Sequence, residues 1–221
     1  YASIVNKNIF YRKKSKLNGC PYAVGLTKHI SEELKKIDIN KFYKLYNMYL
    51  DLNEIPSKIK GNIKRWLDND KIPLIVIRLI LKLKSRNMKD EFYSLKNAFL
   101  KIRGITDSRN QSRFKPPLVL REILSPERIY DIGVSIGDGG LFNGKQTISD
   151  GSVEGEDMDL VKKYIDKLRK LKRSIWGFYN KSIKITLGKK ENKNMYNLTV
   201  SNKFYVYYLN FVYEIPIGNK I

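Results

Sequence analysis

Two residue types that carry much of protein chemistry are almost missing from this sequence. Among 221 residues there is one cysteine, Cys20, and one histidine, His29. A lone thiol excludes an internal disulfide, and without a Cys/His cluster there is no zinc site of the usual spacing. Both residues read as structural. A membrane-length apolar run is missing too. The most apolar stretch, IPLIVIRLILKL at 72–83, is shorter than the roughly 20 residues a spanning helix needs, and Arg78 interrupts it. The chain is shortest of all in acid: 22 Asp and Glu stand against 43 Lys and Arg, a formal charge of +21.

A surface so basic repels itself unless it meets a polyanion, so nucleic acid is the expected partner and an anionic membrane surface the second choice. The basic YRKKSK at 11–16 has no long apolar segment behind it, so no signal peptide is expected and a reducing cytoplasm is the anticipated location. The sequence starts on Tyr1 rather than Met and stops on GNKI, which leaves further sequence at either end open. The charge is uneven. Residues 1–120 hold 26 basic and 10 acidic side chains, whereas residues 121–221 hold 17 and 12, so the front half carries most of the electrostatic grip.

Pattern divides the chain into four stretches. Residues 1–25 mix Gly, Pro and the cluster Arg12, Lys13, Lys14 and Lys16, and read as a basic arm. Residues 26–103 read as a helical domain, because Leu34, Phe42, Leu45, Tyr46 and Tyr49 recur at helical spacing. Within it, Ser57 is a natural N-cap for a helix whose Ile59, Ile63, Trp66 and Leu67 share a face, and Pro73 opens another helix after a polar turn. Residues 104–120 are polar and then Pro-rich, the composition of a linker, and residues 121–221 form a second domain. There, Leu160, Val161, Tyr164, Ile165, Leu168 and Leu171 make an apolar helical stripe. Two alternating strands follow, SIKITL at 182–187 and MYNLTVS at 195–201. Their apolar faces carry Ile183, Ile185 and Leu187, then Tyr196, Leu198 and Val200, and a last helix is expected around 203–213.

The segment SPERIYDIGVSIGDGGL, 125–141, starts well as a helix, with Ser125 as N-cap, Pro126 at N1 and Glu127 in the first turn. It continues badly. Gly133 and Gly137 each weaken its interior by about 1 kcal/mol relative to alanine, and Asp138 sits at the end where the helix dipole repels negative charge. Ile129, Ile132, Gly133, Ile136 and Gly137 fall on one face, apolar but stripped of bulk, where a second helix could approach closely. A tight helix pair would bring Asp138 to its counterpart, and two close carboxylates call for a divalent cation between them. The competing reading makes GDGG an ordinary helix-ending turn.

YDIGVSIGDGG resembles the LAGLIDADG motif of homing endonucleases and intein endonuclease domains, in the variant that ends Gly-Asp-Gly. The tail YNLTVSNKFYVYYLNFVYEIPIGNK is similar to the end of a half-domain of that family, and the likeness covers roughly 117–221. The resemblance implies an α+β fold: one αββαββα half with a saddle-like antiparallel sheet. It also implies a helix interface through Ile129, Gly133, Ile136 and Gly137, and Mg²⁺ held at Asp138 and Gly137 for hydrolysis of double-stranded DNA. Lys184 is the candidate basic catalytic group, and Ser182, Lys184, Thr186, Asn197 and Thr199 form a DNA-facing strand surface. Only one motif is present, so a homodimer or a second half-domain must supply the other acid. IPSKIKGNIKRWLDNDKIPLIVIRLILKL resembles the recognition region of lambda-repressor-like helix-turn-helix domains, which implies DNA contacts from Lys58, Lys60, Asn62, Lys64 and Arg65. A plain helical bundle explains the same periodicity. The functional expectation is a site-specific, Mg²⁺-dependent DNA endonuclease. The alternative is a non-catalytic sequence-specific regulator on the same scaffold, with an RNA-splicing role third.

Overall fold

The computed structural model describes residues 22–50, 58–106, 113–114, 125–142, 144–152, 156–178, 182–190 and 193–218. The chain divides into two compact units, Tyr1–Lys115 and Pro116–Ile221. Each holds helices and a four-stranded antiparallel sheet, so the class is α+β as expected.

The first unit runs β1 (Tyr22–Val24), α1 (Thr27–Leu34), α2 (Ile39–Leu50), α3 (Lys58–Asp68), β2 (Lys71–Pro73), α4 (Leu74–Lys84), α5 (Met88–Lys101), β3 (Gly104–Thr106) and β4 (Arg113–Phe114). The strands order β2-β1-β3-β4. An all-helical 26–103 was expected, and the sheet corrects it: strands of two or three residues are too short for alternation to register. Residues 22–24, read as arm, are its inner strand β1, and residues 104–106 and 113–114, read as linker, are β3 and β4. The cluster at 12–16 and the cap Ser57 lie outside the described residues. The connection from α3 to α4 is also more than a turn, because residues 71–73 pair with β1. Pro73 is consequently the N-cap of α4 rather than its first helical residue, and a proline fits there because β2 is an edge strand. The apolar run at 72–83 forms the buried centre of the unit: every residue from Leu74 to Leu81 is inaccessible, including Arg78, whose Nε lies 3.7 Å from Glu91 Oε1. Among the described residues no helix is long and apolar enough to cross a membrane.

The second unit runs α6 (Pro126–Gly137), β5 (Gly139–Phe142), β6 (Lys145–Ser152), α7 (Glu156–Trp176), β7 (Ile183–Lys190), β8 (Lys193–Ser201) and α8 (Lys203–Tyr213). Its strands order β5-β6-β8-β7. Alternation builds the core: Ile148, Ile183, Leu198 and Val200 turn to the buried side and pair in register across three strands. Asn202 caps α8 by accepting from Tyr205 N–H at 2.9 Å, and the helix buries Phe204, Val206, Leu209, Phe211 and Val212. Glu214 then turns left-handed, at φ 57°, and the chain returns to β5, where Gly218 N–H donates to Leu141 O at 2.8 Å.

Two positions depart from the apolar stripes read in the sequence. Leu160 and Leu187 are 64% and 63% exposed, at the ends of α7 and of the sheet where cover runs out. The buried side of α7 carries a charge instead. Lys172 is fully buried, with Nζ 2.7 Å from Asp131 Oδ1 of α6, while Asp131 Oδ2 accepts from Trp176 Nε1 at 2.9 Å and from Tyr205 Oη at 3.1 Å. Burial pulls the Lys172 ammonium below its ordinary pKa against the opposing pull of Asp131, and burial and then Asp131 hold the Tyr205 phenol well above its own. Removing one partner strands a buried charge. Lys172→Met should therefore destabilise the unit by about 3–5 kcal/mol in urea unfolding followed by tryptophan emission, and the double variant Asp131→Leu/Lys172→Met should lose less than either single change.

Candidate nucleic-acid and metal site

Helix α6 starts as its sequence requires. Ser125 Oγ accepts from Arg128 N–H at 3.4 Å and Pro126 fills the first turn. Its buried side is polar: Arg128, Asp131, Ile132 and Ser135. Arg128 donates to Ile175 O at 2.9 Å with its guanidinium over the Trp176 ring, and Ser135 Oγ donates to Asp131 O and accepts from the buried Gln146 amide. The outward side is apolar and small: Ile129 is 57% and Ile136 55% exposed, with Gly133 and Gly137 between them. Ile132 was expected on that side and instead packs inward. At 100° per residue it lies about 60° from Ile129, on the shoulder that the Asp131 anchor rolls toward the core.

The glycines differ in what they permit. A Cβ at Gly133 or Gly137 would meet nothing within 4 Å, so nothing within this chain calls for their lack of a side chain. A Cβ at Gly139 would stand 2.8 Å from Ser135 O, so glycine is needed where β5 passes under the helix end. Asp138 is exposed at the C-cap of α6, its N–H bonded to Val134 O at 2.9 Å. Beside it, the Tyr164 phenol is held up to about 12, first by burial and then by Tyr130 and the negative charge of Asp138 and Asp150. Among the described residues no three His, Cys, Asp or Glu side chains gather as a ready metal site.

The strand residues read as a DNA surface do come together. Lys184 stands opposite Thr199, which stands opposite Thr147, and Thr186, Asn197 and Ser149 form the next row. Ser149 Oγ donates to Asn197 Oδ1 at 2.6 Å, and Ser182 is the half-buried residue preceding β7. The sequence reading missed Lys145, Thr147 and Ser149. Their signal was the alternation of KQTISDGS, in which Gln146 and Ile148 are buried. The same register keeps Lys184 from Asp138: β7 and β5 are opposite edges, three strand spacings apart, roughly 14 Å. In the first unit, α3 carries Lys58, Lys60, Asn62, Lys64 and Arg65; Lys64 and Arg65 are exposed and Asn62 half-buried. Compared with protein-family models, curated proteins and solved structures, the chain matches none.

Two outcomes follow from this geometry. Gly133→Ala should raise folding stability of the dilute chain by about 0.5–1 kcal/mol, because the new methyl meets open space and alanine favours helix; a melting temperature measures it. Absorbance at 295 nm should show a phenol titrating near 12 that Tyr164→Phe removes. Since the phenol's unfolded value is near 10, the unfolded chain loses this proton first, and stability from Tyr164 should be intact below pH 10 and fall as pH rises toward 12.

Proposed function

We propose that this chain is a site-specific endonuclease that hydrolyses phosphodiester bonds of double-stranded DNA, with the second unit acting as one LAGLIDADG-type half. The observation that carries the reading is α6: a well-capped helix with an outward Ile/Gly face, ending in Gly-Asp-Gly against the first strand of an α-β-β-α-β-β-α unit. A homodimer or a second half-domain packed on Ile129, Gly133, Ile136 and Gly137 brings a second acid to Asp138.

The donors at the foot of the helix suit a hard cation. The Asp138 carboxylate and the carbonyl of Gly137 are both oxygen ligands, at a helix end whose dipole attracts positive charge. A Mg²⁺ ion there supplies Lewis-acid activation of water and stabilisation of the leaving 3′ oxygen. The chain's own part is positioning. The rows built on Lys184, Thr199, Thr186 and Asn197, with Lys145, Thr147 and Ser149, offer donors and acceptors to a DNA groove, while Lys58, Lys60, Asn62, Lys64 and Arg65 of α3 give the first unit its own hold. Lys184, an edge away from Asp138, serves in this reading as a phosphate contact rather than as a group at the scissile bond.

A sequence-specific regulator without cleavage is the second reading, favoured by the single Gly-Asp-Gly helix in the chain. Pooled genomic DNA incubated with the protein, with and without Mg²⁺, separates the two. The endonuclease gives discrete cuts that need metal and vanish in Asp138→Asn while salt-sensitive binding survives. Binding without cuts in either sample makes the chain a regulator.

A further inference from the structure

The first unit carries a cleft that the endonuclease reading does not use. Its volume is about 380 Å³, and Tyr22, Arg65, Trp66, Asn69, Asp70 and Lys71 line it. Clefts of this size hold small organic ligands. The end of α3 builds one wall: Asn69 N–H and Asn69 Nδ2 both donate to Arg65 O, at 3.2 and 2.8 Å. Asp70 then takes a left-handed conformation, φ 48°, which aims its carboxylate at Gly25 N–H, 3.2 Å away, and at the Arg103 guanidinium.

That turn decides the charge of the cleft. Arg103 matches the one acid in the lining, so Arg65 and Lys71 leave the site two charges positive. Arg65 is exposed and Lys71 Nζ lies 4.9 Å from the centroid of the Tyr22 ring. Positive charge in a concave site concentrates anions. A guanidinium suits phosphate oxygens, an aromatic ring suits a base or sugar face, and a carboxamide suits a base edge. All are present on one wall or the other.

We infer that this cleft binds a nucleoside phosphate, with the phosphoryl group on Arg65 and Lys71 and the base toward Tyr22 and Asn69. The ligand is either a free nucleotide or one nucleotide of a nucleic-acid strand. The inference stands apart from the second unit, so absence of DNA cleavage does not bear on it.

The test is a titration of the ¹⁵N-labelled chain with deoxyadenosine 5′-monophosphate and, separately, with a short single-stranded oligodeoxynucleotide. Saturable shifts at the amides of Tyr22, Asn69 and Lys71 are expected. Arg65→Ala and Asn69→Asp should each weaken them by about tenfold, one charge-assisted contact, while Lys89→Ala, which removes an exposed charge elsewhere in the unit, should not. Saturation by the mononucleotide identifies a free nucleotide as ligand, and saturation by the oligonucleotide alone identifies a strand. The inference is overturned if neither probe moves these amides at millimolar concentration, or if the shifts persist unchanged in a folded Arg65→Ala protein.

Discussion

The buried contact between Asp131 and Lys172 sets the roll of α6, and much of the second unit's surface follows from it. Hydrophobic burial is non-directional and would turn Ile129 and Ile136 inward. The helix instead buries Arg128, Asp131 and Ser135 and leaves both isoleucines more than half exposed. That choice holds only because each inward polar group meets a partner: Lys172, Trp176 and Tyr205 for the carboxylate, Ile175 O for the guanidinium, Gln146 for the hydroxyl. A buried ion pair contributes little net stability compared with apolar packing, but an alternative roll would leave a charge unmatched inside. Directional electrostatics thus fixes what apolar packing alone would not, and the Ile/Gly side is turned outward as a consequence.

The sheet below it is protected at both edges without a covering helix. Beyond β5 the returning chain supplies a parallel bridge, Leu141 with Ile217, and the Gly218 bond. On the other edge β7 carries Lys184, Lys189 and Lys190, and charged side chains discourage pairing with a foreign strand. The polar rows of β6, β7 and β8 are therefore held on a scaffold with little tendency to aggregate through its edges, which suits a surface meant for a polyanion.

What could be read in advance tracks the length of each signal. The capped start of α6, the long stripe of α7, the alternation of β7 and β8 and the cap of α8 all span enough residues to be recognised. The sheet of the first unit did not register because its strands are two or three residues long and paired across distant sequence, Tyr22 with Pro73 and with Thr106. Lys172 was invisible for a different reason. A lysine within KLRKLKR looks like solvated charge, and only the three-dimensional meeting of α6, α7 and α8 shows that one of these cations is buried. Asp131 hid likewise beside the conspicuous glycines. In the candidate site, the face of α6 was legible apart from Ile132, whereas the separation of Lys184 from Asp138 depends on strand order, which alternation does not encode.

Three local choices on α6 each act against the isolated chain. Gly133 forfeits helix propensity in a place where a methyl would fit, Ile129 holds an apolar side chain in water, and Asp138 puts a carboxylate at the negative end of the dipole. Individually each is worth about 0.3–1 kcal/mol and unremarked in most proteins. Their concurrence is harder to dismiss, because a single outside circumstance removes all three: a close-packed helix uses the glycine and covers the isoleucine, and a cation at the junction offsets the carboxylate. An ordinary helix-ending turn accounts for Asp138 and its flanking glycines but leaves Gly133 and Ile129 unexplained. The interface reading accounts for every one of them, and it is on that difference, rather than on the Gly-Asp-Gly tripeptide, that the endonuclease proposal rests.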